Sequence, residues 1–152
     1  VTSTEVRNVH DLTSLESEGF VVSSELSRID FEIVYRWIAV ESYWAKGRSM
    51  ATVRTSFENS RPFCVYVGDQ QVACSRVVTD EATFAWICDV FVDEAFRARG
   101  IGTWMVGEAV TWCTSIGLKR AILATRDAHG VYERLGFRAL AKPERWMEID
   151  TR

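Results

Sequence analysis

The stretch Thr83–Met105, TFAWICDVFVDEAFRARGIGTWM, constrains the fold more than any other part of the chain. Its first ten residues are almost wholly apolar, as in a strand buried on both faces of a sheet. A charged turn follows, then Gly100 and Gly102, one residue apart. From there Ile101, Met105, Ala109, Trp112 and Ile116 recur at helical spacing, and Gly117 supplies a C-terminal stop. A central strand that turns into a helix sets the helix N-terminus at the strand's carboxyl end. The first N–H groups of a helix have no partner within it, and the macrodipole favours an anion in front of them. Gly100 and Gly102 leave the backbone bare there, and Arg97 and Arg99 add positive charge. Taken alone, the stretch reads either as a phosphate-binding turn or as an ordinary turn with solvated arginines. No Lys-Ser/Thr follows the glycines, so it is not a P-loop. Met105 stands where the third glycine of a dinucleotide fingerprint would fall.

The 152 residues, 47% hydrophobic and 26% charged, suffice for one domain with one substantial core. Residues 1–18 are polar and read as a loose N-terminal extension of that single domain, 1–152. A net charge of -3 argues against a general nucleic-acid binder. No apolar run approaches the roughly 20 residues of a membrane span, and no signal-peptide pattern opens the chain. Cys64, Cys74, Cys88 and Cys113 form no CxxC pair and sit in apolar runs, which reads as reduced, buried thiols in a cytoplasmic protein. His10 and His129 show no metal-ligand spacing, so no metal is expected.

The pattern predicts a first strand within Gly19–Asp30. Asp30 then caps a helix with Phe31, Val34, Trp37 and Ile38 inward, and Ser49 caps a second with Met50, Val53 and Phe57 on one face. PFCVYV, QVACSRVV and TFAWICDVFV read as three strands joined by tight turns, the first turn signalled by GDQ. After the glycine helix come a short strand in KRAILAT, a short helix in DAHGVYERLGF closed by Gly136, and two last strands, FRAL and ERWMEID. The fold class is α/β (α+β): a single mixed, mostly antiparallel sheet with helices on both faces, in the order β-α-α-β-β-β-α-β-α-β-β.

That order resembles the GNAT family, the Gcn5-related N-acetyltransferases, over about Gly19–Asp150. Two motifs carry the resemblance. RARGIG fits R/Q-x-x-G-x-G/A after a V-x-V strand end, and the strand and helix of ATRDAHGVYERLGF follow at the family's distance. ESYWAKG and RVVTDEATFAWICDVFV are similar to a group of small bacterial members of undefined substrate. The resemblance implies acetyl-coenzyme A as co-substrate. Its pyrophosphate would lie on Arg97, Ala98, Arg99, Gly100, Ile101 and Gly102, mostly through N–H groups, with Thr103 adding a hydroxyl. Its pantetheine arm would pair with Val90, Phe91 and Val92, where one backbone N–H would be the oxyanion donor. Thr125, Ala128 and Tyr132 hold the places of the family's N-x-x-A-x-x-x-Y motif, with threonine where many members carry asparagine.

By the same resemblance Tyr132 would donate a proton to the departing thiolate; the other reading is a core aromatic. An amine must lose a proton before it attacks. Asp89, beside the expected thioester site, is the first candidate base, with burial expected to raise its pKa. A buried structural carboxylate is the competing reading, and Glu41, Asp80 or a water chain would take its place. His129 reads as structural, and Cys113 lacks a partner for nucleophilic work. Trp37, Glu41, Tyr43 and Trp44 are the candidate acceptor pocket, suited to an amine with an apolar or cationic part; the aromatics read equally as core. The expected function is acetyl transfer to a primary amine of a small molecule or a protein. The alternative is an acyl-CoA-binding sensor without turnover. Monomer and homodimer both stay open.

Overall fold

The computed structural model describes residues 14–152. Residues 1–13 of the expected N-terminal extension lie outside the described residues. Its last part is not loose: residues 14–17 form a helical turn that buries Leu15 in the core. Five strands make one sheet: β1 (Phe20–Ser23), β2 (Arg61–Val67), β3 (Gln70–Thr79), β4 (Ala85–Val92) and β5 (Ala121–Ile122), in that spatial order. Neighbours are antiparallel except β4 and β5, which are parallel. The antiparallel pairs β2–β3 and β3–β4 close through short turns. In the second, the Asp80 carboxylate accepts the N–H groups of Ala82, Thr83 and Phe84. A parallel pair needs a crossover, and α3 (Ile101–Ser115) supplies it.

Strand alternation divides the core. On β2, Phe63 and Val65 face the side covered by α3, where Ile101, Trp104, Met105, Val106, Ala109 and Cys113 are buried. Cys64 and Tyr66 face the opposite side, covered by α1 (Phe31–Tyr35) and α2 (Met50–Glu58) through Val34, Val53 and Phe57. Both helices start as the sequence predicts. Asp30 accepts from the N–H groups of Glu32 and Ile33, and Ser49 from that of Thr52. Met105 is fully buried, so Met105→Ala would cost about 2–5 kcal/mol.

Three elements depart from the sequence reading. The first strand stops at Ser23 and gives way to a 3-10 turn at Leu26–Arg28. Helix α1 runs on into a π-helical turn, Arg36–Glu41, closed by the Ser42 N–H on the Trp37 carbonyl; such turns widen a helix and re-aim the loop beyond it. FRAL and ERWMEID are not strands. Residues 138–152 are exposed throughout and hold only a 3-10 turn at Pro143–Arg145. A strand forms only against a partner, and among the described residues β5 is bonded on one edge alone, through Ala85↔Ala121 and Trp86↔Ile122.

Candidate active site

The short β4–β5 register creates the site. Past Trp86 and Ile122 the two chains separate, while β4 continues to Val92 bonded to β3 alone. One backbone edge of β4, from Ile87 to Val92, is therefore left without a strand partner among the described residues. Arg76 pairs with Cys88 and Cys74 with Phe91, so Asp89 and Val90 together oppose one residue of β3. This is a β-bulge, a device that bends a strand and re-aims its end. Asp89 takes φ 51° there, a left-handed conformation uncommon outside glycine and best tolerated by Asp and Asn.

At the end of β4 the chain makes the glycine turn. Gly100 caps α3 at φ 82° with no side-chain hydrogen bond to the helix. The Trp104 N–H is bonded to the Gly100 carbonyl; the N–H groups of Ile101, Gly102 and Thr103 precede it in the first turn, where a helix has no internal acceptors. A Cβ at Gly102 would stand 3.3 Å from Val92 Cγ2, so the start of α3 lies directly against the end of β4. The arginines are already engaged. Arg97 Nε donates to the Val92 carbonyl at 3.0 Å, with its guanidinium 5.1 Å from the Phe91 ring centre. Arg99 pairs with Glu18 and stacks over Phe20 at 4.9 Å. Both brace the turn, and bare backbone N–H groups remain as anion donors.

Asp89 is buried and fully paired. Its side chain is 1% exposed. The carboxylate accepts from Arg76 Nε at 2.7 Å, Arg48 Nη1 at 2.9 Å and the Trp44 indole N–H at 2.9 Å. Burial pushes its pKa up, as the sequence suggests. The Arg76 and Arg48 charges and the hydrogen bonds from Arg76 and Trp44 outweigh burial and hold it below the ordinary carboxylate value. Sequence reasoning missed Arg48 and Arg76, which lie 41 and 13 residues away along the chain; only the fold brings them there.

Trp37 is not a pocket wall either. It is 1% exposed, stacks on Phe91 at 5.7 Å and donates its indole N–H to Asp93 at 3.2 Å. It lies in the π-helical turn after α1, on the side turned to the core. Tyr43, by contrast, is half exposed, because the π-helical turn swings the loop after it outward. Tyr43 accepts the Arg126 N–H at 3.3 Å, and its ring centre lies 3.8 Å from that residue's guanidinium. The loop after α1 thus bridges to the chain leaving β5. Trp44 packs edge-on against Tyr43 at 5.0 Å and reaches Asp89. Glu41 is exposed and paired with Arg36 at 3.2 Å. Asp80 sits in the β3–β4 turn, at the far end of β4 from Val92.

On the β5 side, α4 (His129–Glu133) carries Tyr132. The Thr125 hydroxyl accepts the Ala128 N–H at 3.0 Å, closing the turn into that helix. Tyr132 packs edge-on against Phe137 at 6.1 Å. Burial, and then the neighbouring Tyr43 phenol, push its pKa up from the ordinary tyrosine value. His129 is exposed. Cys113 is buried, which pushes its thiol pKa up and makes it a poor nucleophile. Among the described residues no group of His, Cys, Asp and Glu could hold a metal ion, and no helix is long and apolar enough to cross a membrane.

A five-stranded mixed sheet opens between a bulged β4 and a parallel β5, with a helix N-terminus capped by Gly100 at the end of β4. The chain belongs to the acetyltransferase (GNAT) family: that family's sequence model matches residues 31–137. The structure of a Xanthomonas campestris protein assigned to the GNAT family is 36% identical. It superposes with a TM-score of 0.83 over 87% of this chain and 93% of its own. Glucosamine-6-phosphate N-acetyltransferase from Arabidopsis thaliana shares the fold at 16% identity and TM-score 0.64, covering 88% and 97% of the two chains. So does a predicted acetyltransferase from Clostridium acetobutylicum solved with acetyl-CoA, at 14% identity and TM-score 0.67, covering 86% and 94%. No curated protein matches the sequence significantly.

Proposed function

We propose that this acetyltransferase moves an acetyl group from acetyl-CoA directly to a primary amine, on a small molecule or a protein. One observation carries the reading: the open edge of β4 ends directly against a helix N-terminus whose cap, Gly100, has no side chain. A thioester extended along Val90–Val92 would bring its diphosphate to the N–H groups of Ile101, Gly102 and Thr103. An N–H on the β4 edge would then donate to the carbonyl oxygen as negative charge develops there. Family membership and the Clostridium structure solved with acetyl-CoA support the choice of donor.

The amine nitrogen attacks the thioester carbon, a C–N bond forms and the C–S bond breaks. Tyr132 hydrogen-bonds the departing sulfur. Burial makes this phenol a weaker acid than an ordinary tyrosine, itself a weaker acid than a thiol, so its help is modest and water supplies the proton. Asp89 is already committed to two arginines, so the ammonium loses its protons to water at the solvent-open mouth beside Tyr43. Tyr43 and Trp44 form the aromatic wall for the acceptor, and Trp44 is anchored through Asp89.

The test is thiol release from acetyl-CoA against a panel of primary amines and amine-bearing peptides. Amine-dependent release is expected. Saturable acetyl-CoA binding with no release for any amine would instead favour the sensor without turnover, which the neutralised Asp89 also permits.

A further inference from the structure

The loop after the π-helical turn borders a hollow of about 580 Å³, lined by Tyr43, Trp44, Lys46, Gly47 and Arg48. The loop is held in place. Gly47 takes φ 91°, its N–H bonds to the Ala39 carbonyl at 2.9 Å, and the Arg48 N–H bonds to the Ala45 carbonyl at 3.2 Å. Arg48 therefore stands at a fixed wall of the hollow. Its Nη1 is engaged on Asp89 at 2.9 Å; its Nε and Nη2 meet no acceptor among the described residues. Charge around the hollow does not cancel. Asp89 is 1% exposed and shared by Arg76 and Arg48, so that cluster keeps a surplus positive charge. Lys46 is exposed and pairs with no carboxylate among the described residues. The other charges of the lining, Asp150 and Arg152, pair with each other at 2.7 Å. Nearby carboxylates are taken as well, Glu41 by Arg36 and Asp127 by Arg126. Lys46 and the surplus of the arginine pair thus leave the hollow positive beside an aromatic wall.

We infer that the acceptor amine also carries an oxyanion, a carboxylate or a phosphate, which binds in this hollow on Arg48 and Lys46. The inference rests on the acetyl transfer proposed above and names the class of amine that receives the group. The free Nε–Nη2 edge of Arg48 offers two parallel N–H donors, the geometry that suits a bidentate carboxylate or phosphate oxygen pair. Lys46 adds a point charge. Tyr43 and Trp44 take the apolar part of the same molecule. Asp89 ties both Trp44 and Arg48 to β4, one residue before Val90, where the thioester would lie. Anion site and reacting carbon therefore share one strand. The aromatic wall alone would suit a cationic acceptor. Arg48 and Lys46 reverse that preference, because a polyamine, or a lysine in a basic peptide, would bring a like charge against them.

Amines matched in shape but not in charge test it: phenylalanine against phenethylamine, phosphoethanolamine against propylamine, and a diamine as the cationic member. In thiol release, kcat/KM should favour the anionic member of a pair by about tenfold or more, and the two anionic amines tell carboxylate from phosphate. Arg48→Gln should lower that preference about tenfold. Because Arg48 also holds Asp89, the exposed Lys46→Glu is the second variant, and should lower it about fivefold. Binding is read apart from turnover. Amide shifts of Lys46, Gly47 and Arg48 should move saturably as phenylalanine or phosphoethanolamine is added to the protein with coenzyme A, and Lys46→Glu should weaken that binding. Saturable shifts without thiol release would support the anion site and overturn the transfer reading alone. Equal or higher kcat/KM for the neutral and cationic amines overturns the inference. So does a preference that survives in both variants, or a loop whose shifts ignore both anionic amines.

Discussion

Asp89→Asn separates a structural carboxylate from a catalytic one. Asparagine tolerates the left-handed backbone at this bulge, so the change removes charge without adding strain. Asp89 holds two arginines. Arg48, with 27% of its side chain exposed, can turn to water, whereas the Arg76 side chain is only 10% exposed and would be left charged and unpaired. Removing one partner of a buried pair costs about 3–5 kcal/mol; the surviving amide oxygen sets the low end here, about 3 kcal/mol. For a chain of this size that lowers Tm by roughly 6–12 °C. The pH dependence has a definite sign. The folded pKa is depressed, so the pair's contribution is fully present above the unfolded value of about 3.9 and is lost as pH falls through the folded value. The Tm gap between parent and variant should hold steady from about pH 5 upward and narrow below about pH 4. Differential scanning calorimetry across pH, beside pH–rate profiles of both proteins, reads the two signatures. A variant with unchanged Tm that loses the acidic limb of its rate profile would refute the structural assignment and restore Asp89 as the base.

Gly102→Val would push two methyl groups against Val92 where β4 meets α3; acetyl-CoA affinity by calorimetric titration should fall at least tenfold, about 1.4 kcal/mol, with an unaltered circular dichroism spectrum. Tyr132→Phe removes one hydrogen bond to the departing sulfur and should lower turnover about tenfold, with acetyl-CoA affinity kept within twofold; turnover within twofold of the parent would make Tyr132 structural. Tyr43→Ala should raise the KM of whichever amine the panel identifies by about tenfold, and leave acetyl-CoA affinity alone; a change in the opposite order would move the acceptor wall elsewhere.

Local chemistry makes much of the fold legible. Asp30 and Ser49 cap helices where their side chains can accept N–H groups, and the apolar run through β4 reads as a strand, although β3 is the middle one of the five and β4 buries every second side chain. The glycine turn is legible because it is contiguous: strand end, bare backbone and helix start lie within a dozen residues. The pKa of Asp89 reads as raised because burial is visible in a strand pattern, whereas the partners that reverse the shift come from the loop before α2 and from β3. Trp37 lies inside the π-helical turn and Tyr43 just beyond it, and no periodicity rule anticipates where a helix widens. The last two expected strands rest on alternation alone. Residues 146–150 do alternate, but a strand needs an edge to pair with, and which edge is not written in the segment itself.

The central claim is that acetyl-CoA lies along β4 with its diphosphate on the first turn of α3. Amide chemical shifts of isotope-labelled protein, followed as acetyl-CoA is added, report on those N–H groups directly. Saturable shifts are predicted at Gly100, Ile101, Gly102 and Thr103 together with Val90, Phe91 and Val92. Shifts confined to other parts of the sheet, or none at saturating acetyl-CoA, would contradict the account.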